Sequence, residues 1–312
     1  MDTPATPAGR EPRTGNRQSP VVWFLVVAGV AFVLRLIHLL QLRHNDPLFL
    51  LPQMDALYHH EWALAIAAGR EFIADAFFRA PLYPYFLGLL YRLFGANLLV
   101  VKILQSLIGS AGCGLAYLLA RRLLEKPQPS GRKPQANAKP GLHPSSFVPH
   151  PSDAAPRIAG LVMAAYPLAI WYDGQLLFEG LLAFLVVLGP VLLRRSRDED
   201  RQWWLPGIVF GLAAITRPNV LAFLAVLPVW LLLERRGRGG RPQTTQTAQI
   251  GRRGPGRHTV WSRLLLVWGA AALVILPVTV RNYVVSRQFV PIAWQAGNNF
   301  FIGNNPRSDG VT

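Results

Sequence analysis

Charged residues and cysteine are both scarce in this sequence. Only 15% of its 312 residues are charged and 51% are hydrophobic, whereas about a quarter of a soluble protein of this size is charged. Cys113 is the single cysteine, so the chain can form no internal disulfide and no metal site built from several cysteines. The hydrophobic residues are grouped in continuous runs, which is typical of a polytopic membrane protein.

Acidic residues are scarcer than basic ones, with 16 Asp and Glu against 32 Lys and Arg. The net charge of +16 can indicate nucleic-acid binding, but the basic residues lie between the apolar runs. Cytoplasmic loops that obey the positive-inside rule explain this distribution, and we therefore expect no nucleic-acid partner. Segments 121–157 and 234–263 hold seven and eight Lys or Arg, whereas segment 43–95 holds four together with five acids. This bias places 43–95 outside the membrane.

The apolar runs predict an all-α membrane protein whose core is a bundle of about seven transmembrane helices, since about 20 apolar residues cross a bilayer. Arg10, Arg13 and Arg17 precede the first run and place the N-terminus in the cytoplasm. The bundle is expected to occupy residues 20–280. The predicted spans are residues 20–42, 96–120, 157–171, 176–193, 203–215, 219–233 and 260–280.

The segments between and beyond the spans are polar or of low complexity. Such segments cannot bury enough apolar surface to form a packed core. We expect a disordered cytoplasmic tail at 1–19, an outer loop at 43–95, cytoplasmic loops at 121–156 and 234–258, and an extracytoplasmic segment at 281–312.

The outer loop is expected to contain two helices. Residues 55–68 are predicted to form a helix that ends at Gly69. Residues 81–95 are short for a span, and we predict an interfacial helix with its tyrosines at headgroup level. If 81–95 crossed instead, every later segment would be inverted. In the second span, GSAGCG at 109–114 is interpreted as small residues that let helices pack closely, because no strand precedes it as in a dinucleotide-binding loop.

Polar and aromatic residues gather at the predicted outer ends of the spans. Placing acids and arginines at such positions costs free energy, which makes these residues candidates for a functional site. The candidates are Asp55, Tyr58, His59, Arg79 and Tyr83 in the first outer loop, Asp173 and Glu179 in the second, Arg217 in the third, and Arg281 and Asn282 after the seventh span.

Asp55 has two interpretations. It caps the N-terminus of the predicted helix, although Tyr58 stands where a capping box has Glu or Gln, or its carboxylate belongs to a reaction centre. Tyr58, His59 and Trp62 follow at spacings that place them on the same helix face. The HHE sequence in this stretch is not followed by the second histidine that a helical HExxH zinc site needs.

Glu179 and Arg217 also have a structural and a functional interpretation. Glu179 lies just inside an apolar run, where it is either an interfacial acid or the partner of a cation or a bound metal. Arg217 precedes Pro218 and serves either as a headgroup anchor or as a phosphate ligand.

The order of these motifs resembles the GT-C polyprenyl-phosphate glycosyltransferases, the superfamily of protein O-mannosyltransferases and lipid A aminoarabinose transferases. The resemblance covers roughly residues 20–305 and is most specific in the first two motifs. The motifs are MDALYHHEWALAIAAG, RAPLYPYFLGLLYRLFG, YPLAIWYDGQLLFEGLL, AAITRPN, LPVTVRNY and GNNFFIGN. Members usually carry further helices or a soluble domain, so the resemblance implies that this chain is truncated or a fragment.

The resemblance implies roles for several candidates. Asp55 matches an essential acid of the first outer loop, and a second acid matches Glu179, with Asp173 as its rival. Arg217 and Arg281 correspond to arginines that bind the lipid phosphate. Some members have two neighbouring acids in the first loop, whereas in this chain Asp55 follows Met54. The resemblance therefore leaves open whether a divalent metal is required. If one is bound, Asp55 and Glu179 are the expected ligands.

The implied activity is transfer of a sugar from a polyprenyl-phosphate donor to a lipid, glycan or protein acceptor outside a bacterial inner membrane. A carboxylate base, Asp55, would take the acceptor proton and the anomeric centre would invert. Two rivals remain. A transporter or flippase predicts midplane charges and internal repeats, whereas the predicted spans hold few mid-helix charges and the sequence shows no repeat. A non-catalytic scaffold leaves the outer acids unexplained.

Overall fold

The computed structural model describes residues 19–124, 151–239 and 259–304, and all regular secondary structure in these ranges is helical. The predicted tail 1–19, most of the two cytoplasmic loops and the last eight residues lie outside the described residues. The helices are α1 (Pro20–Asn45), α2 (Met54–Ala67), α3 (Leu82–Phe94), α4 (Leu98–Leu124), α5 (Pro151–Ala164), α6 (Pro167–Asp173), α7 (Glu179–Glu199), α8 (Trp204–Ala214), a 3-10 turn (Pro218–Val220), α9 (Leu221–Gly239), α10 (Val260–Ser286) and α11 (Gln295–Asn304).

Three helices of the described chain, α1, α4 and α10, are long and apolar enough to cross a membrane. The bent pair formed by α5 and α6 makes a fourth if it counts as one span. The described chain is therefore an all-α membrane protein, but the expected count of about seven spans is not reached. Helix α8, with 11 residues, is only about 17 Å long at 1.5 Å per residue, short of a core about 30 Å thick.

The predicted span 157–171 is wrong as a continuous helix. It breaks between Ala164 and Pro167, and the two helices meet at a bend of 51°. The cause is Pro167, which begins α6 and forces Tyr166 into an extended conformation (φ −70°, ψ 113°). The apolar run passes through the break unchanged, so hydrophobicity alone does not reveal it.

Several predicted boundaries also differ from those in the structure. The loops 121–156 and 234–258 begin too early, because α4 continues to Leu124 and α9 to Gly239. Segment 281–312 begins within α10, which ends at Ser286. Basic residues are favourable in the last turn of a helix, so the arginines that mark these loops in the sequence do not stop the helices.

Both helices predicted in the outer loop are present, but Tyr83 and Tyr91 of the second helix are buried within the protein instead of lying at its surface. Gly69 follows α2 with φ 68°, a left-handed conformation that glycine adopts without strain. Helix α3 packs along α2, where His60 Nδ1 lies 2.6 Å from the Tyr91 hydroxyl. At 13 residues, α3 is too short to be a span.

The helices define two ends of the molecule. The end of α1 and the start of α4 meet where Lys102 Nζ donates to the Phe49 carbonyl at 2.9 Å. The end of α10 meets the outer loop where Asn282 Oδ1 accepts from the Phe77 N–H at 3.0 Å. We call this side, which also carries α2 and α3, the loop end. At the far end, Arg263 of α10 pairs with Asp200 after α7 at 2.8 Å.

The glycines of 109–114 lie inside α4 and face neighbouring helices. A Cβ on Gly114 would lie 2.6 Å from the Phe24 ring, and one on Gly109 would collide with the Asp173 carboxylate. The interpretation of this run as small residues for close helix packing is confirmed.

Candidate active site

Asp55 is held by an arginine rather than capping its helix. It is the second residue of α2, whose N-cap is Gln53 without a side-chain cap; the capping interpretation is therefore wrong. Asp55 Oδ1 accepts from Arg79 Nη2 at 2.8 Å, and the Asp55 side chain is 57% exposed. The Arg79 hydrogen bond lowers the pKa of Asp55, so this carboxylate is ionised at neutral pH.

The surroundings of Asp55 are aromatic and strained. The Arg79 guanidinium lies 5.1 Å from the centre of the Tyr58 ring, which fixes Arg79 between ring and carboxylate. Met54, directly before Asp55, has φ 51°. This left-handed conformation costs about 1–2 kcal/mol for a non-glycine residue, and such strain clusters at functional sites.

Glu179 and Arg217 reach the same place from distant parts of the chain. Glu179 begins α7, and its charge interacts electrostatically with both Asp55 and Arg217. Its Oε2 atom is buried without a hydrogen-bond partner in the described residues. Arg217 is exposed, with its guanidinium 5.5 Å from the centre of the Phe178 ring. One guanidinium and two carboxylates thus lie in one cluster at the loop end, because Phe178, next to Glu179, contacts both Arg217 and the ring of His59, one turn after Asp55.

His59 is the buried neutral member of this cluster. It is 1% exposed, and its ring centre lies 5.1 Å from that of Tyr83 and 6.2 Å from that of Phe178. Neither ring nitrogen has a hydrogen-bond partner among the described residues. Burial lowers the pKa of His59 to about 4, so the imidazole is uncharged at neutral pH.

Acidification is expected to destabilise the protein through His59. Its pKa is about 4 in the folded state and about 6.5 when unfolded, so between these values the unfolded state binds more protons. The contribution of His59 to the free energy of unfolding is therefore fully present above about pH 6.5 and decreases as the pH falls toward about 4. Thermal unfolding of wild type and His59→Gln in detergent across this range checks the prediction. Equal pH dependence in the two proteins would contradict it.

Tyr83 has a structural role for its hydroxyl group. The hydroxyl donates to Gln105 Oε1 at 3.0 Å, and Gln105 Nε2 donates to the Gln175 carbonyl at 2.8 Å. This chain of bonds joins α3, α4 and the segment before α7. Tyr83 therefore shapes the cluster with its ring, while its hydroxyl is already satisfied within the protein.

Asp173 lies in a buried ion pair on the wall of a cavity between α6 and α7. Arg35 Nε donates to Asp173 Oδ2 at 2.6 Å, and both side chains are at most 3% exposed. Arg35 Nη1 also donates to the carbonyls of Ala31 and Ala164 at 3.2 and 3.4 Å. The pair joins α1 to the bent segment, and among the two candidate second acids it leaves Glu179 as the one with a free oxygen.

Breaking this pair should destabilise the protein strongly. Asp173→Asn leaves the Arg35 charge buried without a counter-ion, at a cost of about 3–5 kcal/mol. The matched control is Glu199→Gln, which removes exposed ion pairs with Arg195 and Arg201 that contribute little to stability. Thermal unfolding in detergent should show a much larger loss for Asp173→Asn, and similar losses in both variants would contradict the prediction.

Arg281 and Asn282 also bind the protein itself. Arg281 donates to the carbonyls of Ile73 and Asp75, and lies 3.6 Å from Glu71. Asn282 is fully buried, and its Nδ2 donates to the Val290 and Ile292 carbonyls at 3.1 and 3.0 Å. The two residues fasten the outer loop and the segment after α10 to one helix end.

Two openings lie beside the cluster of Asp55, His59, Glu179 and Arg217. The α6–α7 cavity has a volume of about 270 Å³ and is bounded by residues such as Arg35, Gly109, Met163, Asp173, Glu179 and Phe184. The α3–α10 groove measures about 310 Å³ and is bounded by residues such as Phe77, Leu82, Tyr85, Ile215, Val278 and Arg281. Both are mainly apolar, and each carries a charged residue toward the loop end.

Metal ligands do not assemble within the described ranges, where no group of three or more His, Cys, Asp or Glu is placed to hold an ion. Asp55 and Glu179 supply two carboxylates at most.

Two contributors to the site are not among the candidate residues that the sequence suggests. Arg35 was noticeable as a charge inside an apolar run, but its partner lies 138 residues away. Phe178, which contacts both His59 and Arg217, is one phenylalanine among sixteen. The charge in the run was a usable signal, because charges within membrane helices are almost always paired.

No protein family model matches the sequence, and no match was found among curated proteins or solved structures. The function must therefore be inferred from the arrangement of the residues.

Proposed function

We propose that this protein is a membrane glycosyltransferase that moves a sugar from a polyprenyl-phosphate donor to an acceptor hydroxyl. The observation that carries the proposal is the contact of Phe178 with both Arg217 and His59, which groups Arg217, Glu179 and Asp55 from three distant segments at one end of an apolar helical bundle. An enzyme for a lipid phosphate needs this combination of a carboxylate, an exposed guanidinium and adjoining apolar grooves.

The chemistry assigns one role to each group. The acceptor oxygen attacks the anomeric carbon from the side opposite the phosphate, and its proton passes to the Asp55 carboxylate. The bond between the anomeric carbon and the phosphate oxygen breaks, and its electron pair stays on the phosphate. A guanidinium stabilises that developing charge. The product has the inverted configuration, and the polyprenyl phosphate leaves.

Arg217 is the stronger candidate for the phosphate ligand. Arg281 already donates to two carbonyls, whereas Arg217 is exposed beside Phe178. The α3–α10 groove ends near Arg217, because Ile215 lines it and accepts the Leu82 N–H at 3.1 Å. The donor's isoprenoid chain is proposed to lie in this groove with its phosphate at Arg217.

Turnover tests the proposal directly. The purified protein is reconstituted in vesicles with short-chain polyprenyl-phosphate hexoses and pentoses, and release of free polyprenyl phosphate is measured. Release that requires an added acceptor supports the transferase. Movement of the intact donor between leaflets without cleavage supports a transporter, and the absence of both supports a scaffold.

We further propose that the loop end faces outside a bacterial inner membrane, as the Lys and Arg distribution favours. Single cysteines at exposed positions test this orientation: Arg70→Cys at the loop end and Asp198→Cys at the far end. A membrane-impermeant thiol reagent applied to intact cells should label the first and spare the second. The native Cys113 is buried and provides the background. Labelling of Asp198→Cys alone would show that the far end, and not the loop end, faces outside.

A further inference from the structure

We infer that the α6–α7 cavity binds the acceptor, and that the acceptor is a long-chain alcohol which enters from the bilayer. This inference rests on the proposed transferase and adds the chemical class of its second substrate. The sequence leaves lipid, glycan and protein acceptors open, so the cavity decides among them.

The position of the cavity favours entry from lipid. It lies beside the Pro167 break, where α5 and α6 bend by 51°, and its walls include residues of this segment and of the first turns of α7. Tyr166 and Leu168 line it and are 50% and 55% exposed on the surface of a membrane bundle. An opening with apolar, exposed walls is accessible to an alkyl or isoprenoid chain and offers little to a polypeptide.

One end of the cavity is polar and is linked to the proposed reaction centre through Glu179. Glu179 lines it and interacts electrostatically with Asp55 and Arg217. Its buried Oε2 lacks a partner in the described chain, and an unsatisfied buried acceptor costs about 1–3 kcal/mol. A hydroxyl donor at this end of the cavity satisfies that oxygen and positions its own oxygen for attack.

The charges select a neutral alcohol over a lipid phosphate. Arg35 and Asp173 neutralise each other at 2.6 Å, so the unpaired charge on the wall is the Glu179 carboxylate. A phosphate would be repelled there, whereas the α3–α10 groove presents Arg281 and ends near Arg217. The volume of about 270 Å³ is near the lower limit for ligand pockets, so it suits the part of a chain next to the hydroxyl.

The transfer step then uses both acids. The acceptor hydroxyl donates to Glu179 in the bound state, and its oxygen forms the new bond to the anomeric carbon. When the donor binds, this O–H turns from Glu179 to the Asp55 carboxylate, which takes the proton as the sugar–phosphate bond breaks with its electrons on the phosphate. Glu179 is a substrate-binding residue in this scheme, and Asp55 remains the base.

Filling the cavity tests the inference by kinetics. Ala169→Phe and Ala183→Phe each narrow it and should raise the KM for a farnesol or hexadecanol acceptor at least tenfold, with the donor KM unchanged. Ala272→Phe, on an exposed face of α10, is the matched control and should change neither constant. A serine- or threonine-containing peptide or a soluble oligosaccharide that is used more efficiently than the alcohols would overturn the inference while leaving the transferase intact.

Photocrosslinking of the wild type separates binding from turnover. A long-chain alcohol with a diazirine on its chain should label residues of α6 and α7, and an excess of hexadecanol should prevent the labelling. Labelling elsewhere overturns the inference, and so does competition by farnesyl phosphate alone, because the cavity would then hold the donor chain. Specific labelling without any sugar transfer would support the alcohol site and reject the proposed function.

Discussion

Asp55→Asn is expected to reduce sugar transfer by about 10²- to 10⁴-fold, the usual contribution of a general base. The amide keeps the shape and most hydrogen-bonding capacity of the carboxylate but cannot accept a proton. The half-exposed pair with Arg79 contributes little to stability, so the variant should insert and unfold like the wild type. Release of polyprenyl phosphate under single-turnover conditions measures the loss.

Glu61→Gln is the matched control for this change, since it neutralises an exposed acid on the same helix. It should leave the rate within about twofold, because surface substitutions away from a site have small effects. The decrease of the wild-type transfer rate at low pH provides a second check. Because Arg79 lowers the pKa of Asp55, the base form should persist below about pH 4, the ordinary value for aspartate. Full activity of Asp55→Asn would reject Asp55 as the base.

Local rules predicted the parts of the loop end that local interactions determine. Helix α2 ends at Ala67, and Gly69 just beyond it adopts the left-handed conformation that commonly ends a helix. The polar candidates gather at helix ends because charged groups avoid the apolar interior. The same solvation argument brings Asp55, Glu179 and Arg217 to one side, although it does not determine that they meet.

The partners of these residues depend on tertiary packing and were not predictable from one sequence. Asp173 and Glu179 are six residues apart, yet one is neutralised by Arg35 and the other keeps a free oxygen. Arg281 binds backbone carbonyls, and every residue has such a carbonyl, so no side-chain pattern marks them. The break at Pro167 did follow a local rule, but the continuous apolar run concealed it.

This difference changes the interpretation of the arginines. The sequence offers Arg217 and Arg281 as equivalent phosphate ligands. In the folded chain Arg281 fastens the outer loop, so its replacement should destabilise the structure, whereas Arg217 is exposed and contacts the Phe178 ring. Only Arg217 can be tested as a ligand without disturbing the loop that carries Arg79.

Arg217→Ala is expected to weaken donor binding by about 10- to 100-fold, because a hydrogen bond to a charged group contributes about 1.5–3 kcal/mol. Turnover at saturating donor should fall as well if the guanidinium also stabilises the leaving phosphate. Arg217→Lys should restore only part of the affinity, since an ammonium is a point charge that cannot replace a planar, two-pronged donor. Donor KM and kcat in vesicles, measured for both variants, give the two effects separately.

Arg70→Ala is the matched control for Arg217, because it removes an exposed arginine from the same end of the molecule. It tests whether positive charge at the surface attracts the donor nonspecifically, and it should leave the donor KM within about twofold at physiological salt, where exposed charges are screened beyond about 8 Å. An equal rise in KM for Arg70→Ala and Arg217→Ala would show general electrostatic attraction. A normal donor KM in Arg217→Ala would remove Arg217 from the site and move the phosphate to another cation of the loop end.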